Sequence, residues 1–489
     1  MRKILSLVVV LLSFSLLAAA QEADTTSTPT ILSLQDALRI ALSENASVQV
    51  ADREIERTGY ARKGTYASLF PQISGSGSYQ RTIKKQVMYM DFDMSAFGGG
   101  GAAGDAGDAA AGAAAAADGG GKKGGGGIEV GRWNTWSAGI SASMPLVNAQ
   151  LWQNLRISDQ DVELAVEKAR SSRLETVNQV KQAFFSCLLA REAFEVYKSA
   201  YENALENYEQ IERRYNVQRA SELDLTRAKT TLSNAIPSVY DAESSKILSL
   251  WQLKAVMGVD LDSNIDVAGS LGDYAEHMLY DLHASEGLSL EDNSTMRQLA
   301  IQAEQLANAI KVQQYAYLPS LALSFNYSIN AMTNDFKFSE YNWSPYSFVG
   351  LSLSVPIFSG GQRLNAVRQT RVQAQELDIQ RANTERQLKI AIRQYLNQME
   401  TAMKSYSSAL SAAETAQKAY DIASKSYNVG RSTLTDLNDA QLALTQAKLG
   451  VSQAVFNFVV AKAGLEGTLG ADFIDDQGNV QLNKTYDNE

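Results

Sequence analysis

The chain has 489 residues, a formal net charge of −10 and one cysteine, Cys187. That acidic balance argues against nucleic acid as a partner, and one cysteine excludes an intramolecular disulfide framework. Beyond the amino-terminal run, no apolar stretch is long enough to span a bilayer as a helix, so residence in a membrane would require β-strands.

Arg2 and Lys3 precede an apolar run from Ile4 to Leu12 that continues through Phe14 to Leu17 and ends in Ala18-Ala19-Ala20. Residues 1–20 therefore read as a secretory signal peptide. Gln21 follows it, so the mature amino terminus offers no cysteine for lipidation.

The remainder reads as two copies of one unit. Asn45-Ala46-Ser47-Val48 matches Asn293-Ser294-Thr295-Met296, and the same offset relates Pro71 to Pro319 and Tyr79 to Tyr327. At a smaller offset, the segment from Gly139 to Pro145 matches that from Gly350 to Pro356, and Tyr215-Asn216-Val217 matches Tyr427-Asn428-Val429. The change of offset places a single insertion in the first copy. Residues 98–127 are almost all Gly and Ala, a composition too poor in apolar surface to offset chain entropy, and a disordered loop over 91–130 is expected.

In chain order, the first repeat (21–257) is expected to hold a helix, strands over 71–90 and 132–146, and helices over 148–214 and 221–257. A connector over 258–289 follows. The second repeat (290–467) is expected to hold a helix, strands over 319–332 and 346–357, and helices over 360–426 and 433–467, ahead of a polar tail over 468–489. Beside each matched proline the hydrophobic period is two: Leu321, Leu323, Phe325, Tyr327 and Ile329 alternate with small or polar residues, as do Ile140, Ala142 and Met144. A lipid-facing barrel strand and a half-buried soluble strand share this pattern. Trp133, Trp136, Tyr341, Trp343 and Tyr346 near the strand ends suit an interfacial aromatic belt.

Past Pro145 and Pro356 the period turns helical. Val177, Val180, Phe184 and Cys187 form one stripe, interrupted at Arg191 and resumed from Phe194 to Tyr215. A helix over 148–214, free of Pro and Gly, would span roughly 100 Å at 1.5 Å per residue. At the second turn Gly430 suits a left-handed cap and Ser432 or Thr433 the next N-cap. Pro237 is expected to kink or interrupt its helix. Four strands per chain cannot close a barrel, whereas twelve from three chains can.

The segment Leu34–Asn45, the turn Tyr427-Asn428-Val429-Gly430 and the run Asp436-Leu437-Asn438-Asp439-Ala440 resemble the TolC-like outer-membrane efflux protein family. With the duplication and the four flanking prolines, the resemblance covers residues 32–467. It implies an internally duplicated α+β membrane protein, trimeric, with a twelve-stranded outer-membrane β-barrel continued by a long periplasmic α-helical barrel. It implies an exit duct in the outer membrane of a Gram-negative bacterium. The implied partners are a periplasmic adaptor (membrane fusion) protein and an inner-membrane transporter of RND or ABC type, with no cofactor. Carried residue by residue, it places Asp436 and Asp439 at the pore constriction, where crowded carboxylates are expected to titrate high. It places Tyr427 and Asp224 in a latch between helices, with Arg431 one position before the usual latch arginine, now Ser432. Val429, Gly430, Val217 and Gln218 become candidates for adaptor docking.

Catalytic groups are sparse. His277 and His283 are the only histidines, and no phosphate loop, nucleophile elbow or HExxH motif occurs. The reading is a transport channel and not an enzyme. The alternative from another class is a secreted coiled-coil structural or adhesive surface protein, which would have no reason to place barrel-type strands between its helix pairs.

Overall fold

The computed structural model describes residues 30–88, 128–275, 278 and 289–470. The signal peptide, the Gly/Ala loop, both histidines and the tail beyond Gly470 lie outside the described residues. In the first half the elements are β1 (Thr30–Leu32), α1 (Leu34–Glu44), α2 (Ala46–Ala67), β2 (Gln72–Arg81), β3 (Gln86–Met88), β4 (Ile128–Val130), β5 (Asn134–Val147), α3 (Ala149–Asn216) and α4 (Glu222–Met257). The connector carries β6 (Ile265–Val267) and a single turn, α5 (Gly272–Ala275). The second half holds α6 (Ser294–Tyr315), β7 (Ser320–Thr333), β8 (Ser344–Ser354), α7 (Gln362–Asn428) and α8 (Leu434–Leu469).

Two units can be described. One holds the helices, with residues up to Arg62, Asn154–Ile310 and Asn365 onward; the other, Lys63–Gln153 with Lys311–Leu364, holds the sheet. In the sheet unit, β2, β5, β7 and β8 are hydrogen-bonded in that order, each pair antiparallel, with one register shift between Pro145 and Val147. Residues paired across neighbouring strands share a face. Ile73, Ile140, Ala142, Phe325, Leu323, Val349 and Leu351 fall on one face, and Ser74, Ser78, Ser137, Ser141, Asn326 and Ser328 on the other. On the polar face the Ser74 and Ser141 hydroxyls lie 2.8 Å apart and those of Ser78 and Ser137 2.6 Å apart. Tyr346 lies on the polar face, opposite Ser328, and so falls outside an aromatic belt on the apolar face.

In the helical unit α3 and α7 run for 68 and 67 residues, about 100 Å each at 1.5 Å per residue. The helix α4 runs unbroken through Pro237, so of the two expected outcomes, a kink or an interruption, the second does not occur. Pro237 and Ser233, four residues before it, are both exposed, so the carbonyl deprived of its donor reaches water. Phe184, Leu188, Leu253, Met257, Met399 and Phe458 are fully buried in the main core, where α1, α3, α4, α7 and α8 contribute side chains. Cys187 sits there, 1% exposed, and burial pushes its thiol up to about 11. The break in the α3 stripe at Arg191 has a partner in this region. Its guanidinium donates to the carbonyls of Val267 (2.6 Å) and Gly269, which anchors the connector just after β6.

The duplication is visible as two equivalent joints. Asn45 Nδ2 donates to Val256 O (2.7 Å) at the end of α4, and Asn293 Nδ2 donates to Thr468 O (2.5 Å) at the end of α8. Each side-chain carbonyl turns the other way and caps the helix that follows, accepting from Ser47 N (2.8 Å) and Met296 N (2.9 Å). Both return helices end on a left-handed glycine, Gly258 (φ 76°) and Gly470 (φ 70°). A Cβ on either would strike the backbone just before the partner asparagine, at Glu44 or Asp292.

Candidate gate at the helix tips

The two long helices end in the same backbone motif. At the first tip, Gln218 N donates to Tyr215 O (2.8 Å) and Arg219 N to Arg214 O (2.7 Å); at the second, Gly430 N donates to Tyr427 O (3.0 Å) and Arg431 N to Ser426 O (2.8 Å). Both are Schellman caps, which satisfy carbonyls that the helix end would leave unpaired. The capping residue is left-handed in each, Gln218 at φ 58° and Gly430 at φ 76°. Gln218 is the only described residue other than glycine with a positive φ. Val217 (64% exposed) and Val429 (69%) flank these caps and face solvent in the single chain.

The return helices start alike as well. Ser221 Oγ accepts from Asp224 N (3.1 Å), and Thr433 Oγ1 from Asp436 N (3.2 Å). At the second tip the bond is reciprocated, since Thr433 N donates to Asp436 Oδ2 (2.9 Å). These bonds from Thr433 hold the Asp436 carboxyl below its ordinary value. The upward shift expected from crowded carboxylates is a property of several copies brought together, which one chain does not contain. Asp439, three residues on and also exposed, shares that helix face.

A small core ties the tips together. Ile211 from α3, Ala228 from α4, and Leu434 and Leu437 from α8 are buried there, with Tyr420, Ala423 and Tyr427 of α7 packed against them. Tyr427 lies beneath Arg214, whose guanidinium carbon is 5.6 Å from the ring centroid. Arg214 Nη2 also donates to Asn428 Oδ1 (3.2 Å). Partial burial raises the Tyr427 hydroxyl, the nearby Asp224 charge adds to the rise, and the Arg214 charge opposes it. The structure thus brings together Tyr427, Asp224 and Arg214. Arg431, nominated from the sequence, is exposed, and its side chain makes no hydrogen bond or ion pair among the described residues. Arg214 was missed, although a signal existed: the matched position of the second tip is Ser426.

Antiparallel strands with one apolar face, joined in sequence to helices of about 100 Å, fit the architecture of an outer-membrane channel. The outer membrane efflux protein family matches residues 37–259 and 287–471, and the chain belongs to that family. It is an outer-membrane, TolC-like efflux channel protein whose helical part is periplasmic. Among its relatives, the alkaline protease secretion protein AprF of Pseudomonas aeruginosa is 22% identical over 361 residues, 72% of each chain. The outer membrane protein TolC of Vibrio cholerae is 22% identical over 341 residues, 68% of this chain and 76% of its own. Among solved structures, the Campylobacter jejuni CmeC outer membrane channel superposes with a TM-score of 0.65 at 18% identity, covering 92% of this chain and 90% of its own. The open state of the Neisseria gonorrhoeae MtrE channel gives 0.64 at 17% identity, over 89% and 88%.

Proposed function

We propose that three copies of this chain close a twelve-stranded barrel and form the exit duct of a tripartite efflux or type I secretion system. The duct conducts substrates passively from an inner-membrane transporter of RND or ABC type, by way of a periplasmic adaptor, to the cell exterior. The observation that carries this reading is the four-stranded sheet, apolar on one face and mainly Ser, Gly and Asn on the other, with β2 and β8 as its edges, unpaired on their outer sides among the described residues. Lipid tolerates no open sheet edge. The edges must therefore pair with those of further copies, and three copies supply the strand count of a barrel with a watery lumen. The exposed stripe Tyr240, Ile247, Leu248 and Trp251 on α4 supports the same assembly, because a second copy of the chain can cover it.

Within this reading Asp436 and Asp439 line the entrance and favour cations. Tyr427 and Asp224 hold the two hairpins of the tip together, and Val217, Gln218, Val429 and Gly430 meet the adaptor. The test is single-channel recording of the detergent-extracted trimer in a planar bilayer. Discrete long-lived steps with cation preference are the expected result. Recovery of the protein only as a soluble periplasmic monomer would overturn the barrel.

A further inference from the structure

The hydrophobic alternation of β8 slips phase once. Val349, Leu351 and Leu353 keep one parity, whereas Tyr346 and Phe348 keep the other. A bulge between Phe348 and Val349 would have returned all five to one face. None is present, since the β7–β8 register runs without a shift from Ser320 opposite Ser354 to Asn330 opposite Ser344. The two rings are thereby placed on the polar face, opposite Ser328 and Asn326. Their centroids are 5.7 Å apart, and they are 60% and 44% exposed.

Their surroundings give them no apolar cover. Along the paired strands that face carries Ser, Thr, Gly, Asn, Gln and Ala, with Met332 and Pro145 its other apolar side chains of any size and no ionised group. The rings lie on an edge strand. In the closed barrel the neighbouring copy's β2 would add only Gln72, Ser74, Ser76, Ser78 and Gln80 to that face. Two uncovered aromatic faces in a neutral, hydroxyl-lined passage attract flat apolar surfaces, and their quadrupoles attract positive charge.

We propose that Tyr346 and Phe348 form a binding ledge inside the barrel for lipophilic organic cations in transit, six rings in the trimer. The inference rests on the channel reading, because it takes the polar face as the lumen. Its test uses the full-length trimer in a planar bilayer, with potassium chloride as carrier and tetraphenylphosphonium as the probe of block. Tyr346→Leu with Phe348→Leu keeps apolar bulk and removes the rings. That double variant is expected to weaken the block by roughly tenfold while leaving unitary conductance close to its original value. Phe348→Leu alone is expected to weaken it by about threefold, which preserves the test where the double variant fails to assemble. Unaltered block in a conducting leucine variant would overturn the ledge and leave the channel standing. A trimer that conducts nothing, with or without the probe, would instead overturn the channel reading.

Discussion

At Gln218 and Gly430 the backbone takes the same left-handed step, closed by the same two hydrogen bonds, yet only one of the residues is suited to it. Glycine enters this region freely, while a side chain there costs about 1 kcal/mol. The first tip accepts that cost and the second does not. The second also holds a reciprocal capping box at Thr433 and Asp436, where the first has Ser221 bonded to Asp224. At the tips the duplicated backbone is kept while the chemistry placed on it differs. At the joints between helices the halves remain alike down to the atoms that bond, Asn45 to Val256 and Asn293 to Thr468.

The joints should therefore respond alike to substitution and the tips unequally. The largest effect is expected at the joints. Gly258→Ala would bring a Cβ to 2.5 Å from Glu44 O on a left-handed backbone, and Gly470→Ala would clash in the same way with Asp292. Each should cost about 3 kcal/mol, read as an earlier loss of helical circular dichroism on heating the extracted protein. An effect at one joint alone would break the equivalence of the halves. At the tips, Gln218→Gly should stabilise by about 1 kcal/mol and Gly430→Gln destabilise by the same amount. Nothing lies within 4 Å of a Cβ built on Gly430, so conformation alone sets that cost.

A still smaller effect is expected where the two tips touch. Arg214→Ala removes a half-exposed cation from above the Tyr427 ring, worth about 0.5–1 kcal/mol. If the contact holds the channel shut, the variant should also open more often in a bilayer. Arg431→Ala, in contrast, should change neither stability nor opening.

Much of the fold is legible in the residues because it depends on periodicity. The alternation Leu321, Leu323, Phe325 becomes one face of a sheet, and the absence of Pro and Gly after Pro145 becomes a helix of 68 residues. Whether Pro237 interrupts its helix is harder to read, because the cost of the freed carbonyl depends on its access to water, and exposure is a tertiary fact. Tyr346 misleads because aromatic composition near a strand end does not say which face a ring takes; only register does. The contact between Arg214 and Tyr427 is hard to read for a related reason. Arg214 meets Tyr427 across 213 positions of sequence, and no local spacing encodes that approach.

The smallest effect on folding, and the sharpest on function, concerns Asp436. Its carboxylate is exposed, and its bonds to Thr433 lower its pKa. A group with a depressed folded pKa lends stability above its unfolded pKa and loses it as pH falls through the folded value. Capping by Thr433 thus predicts a charge that persists below the ordinary carboxylate range near 4. Crowding of carboxylates from three chains at the entrance would predict the reverse, a charge lost at higher pH. Reversal potentials in a potassium chloride gradient, followed from neutral to acid pH, separate the two. Cation preference that survives below the ordinary carboxylate range would mean that helix capping controls Asp436; preference already lost above that range would place it in a tight ring. Asp436→Asn keeps an acceptor for Thr433 N and removes the charge. It should lower the thermal melt only slightly, through the lost charge on the capping bonds, and lower cation preference; no change in the reversal potential would take Asp436 out of the gate.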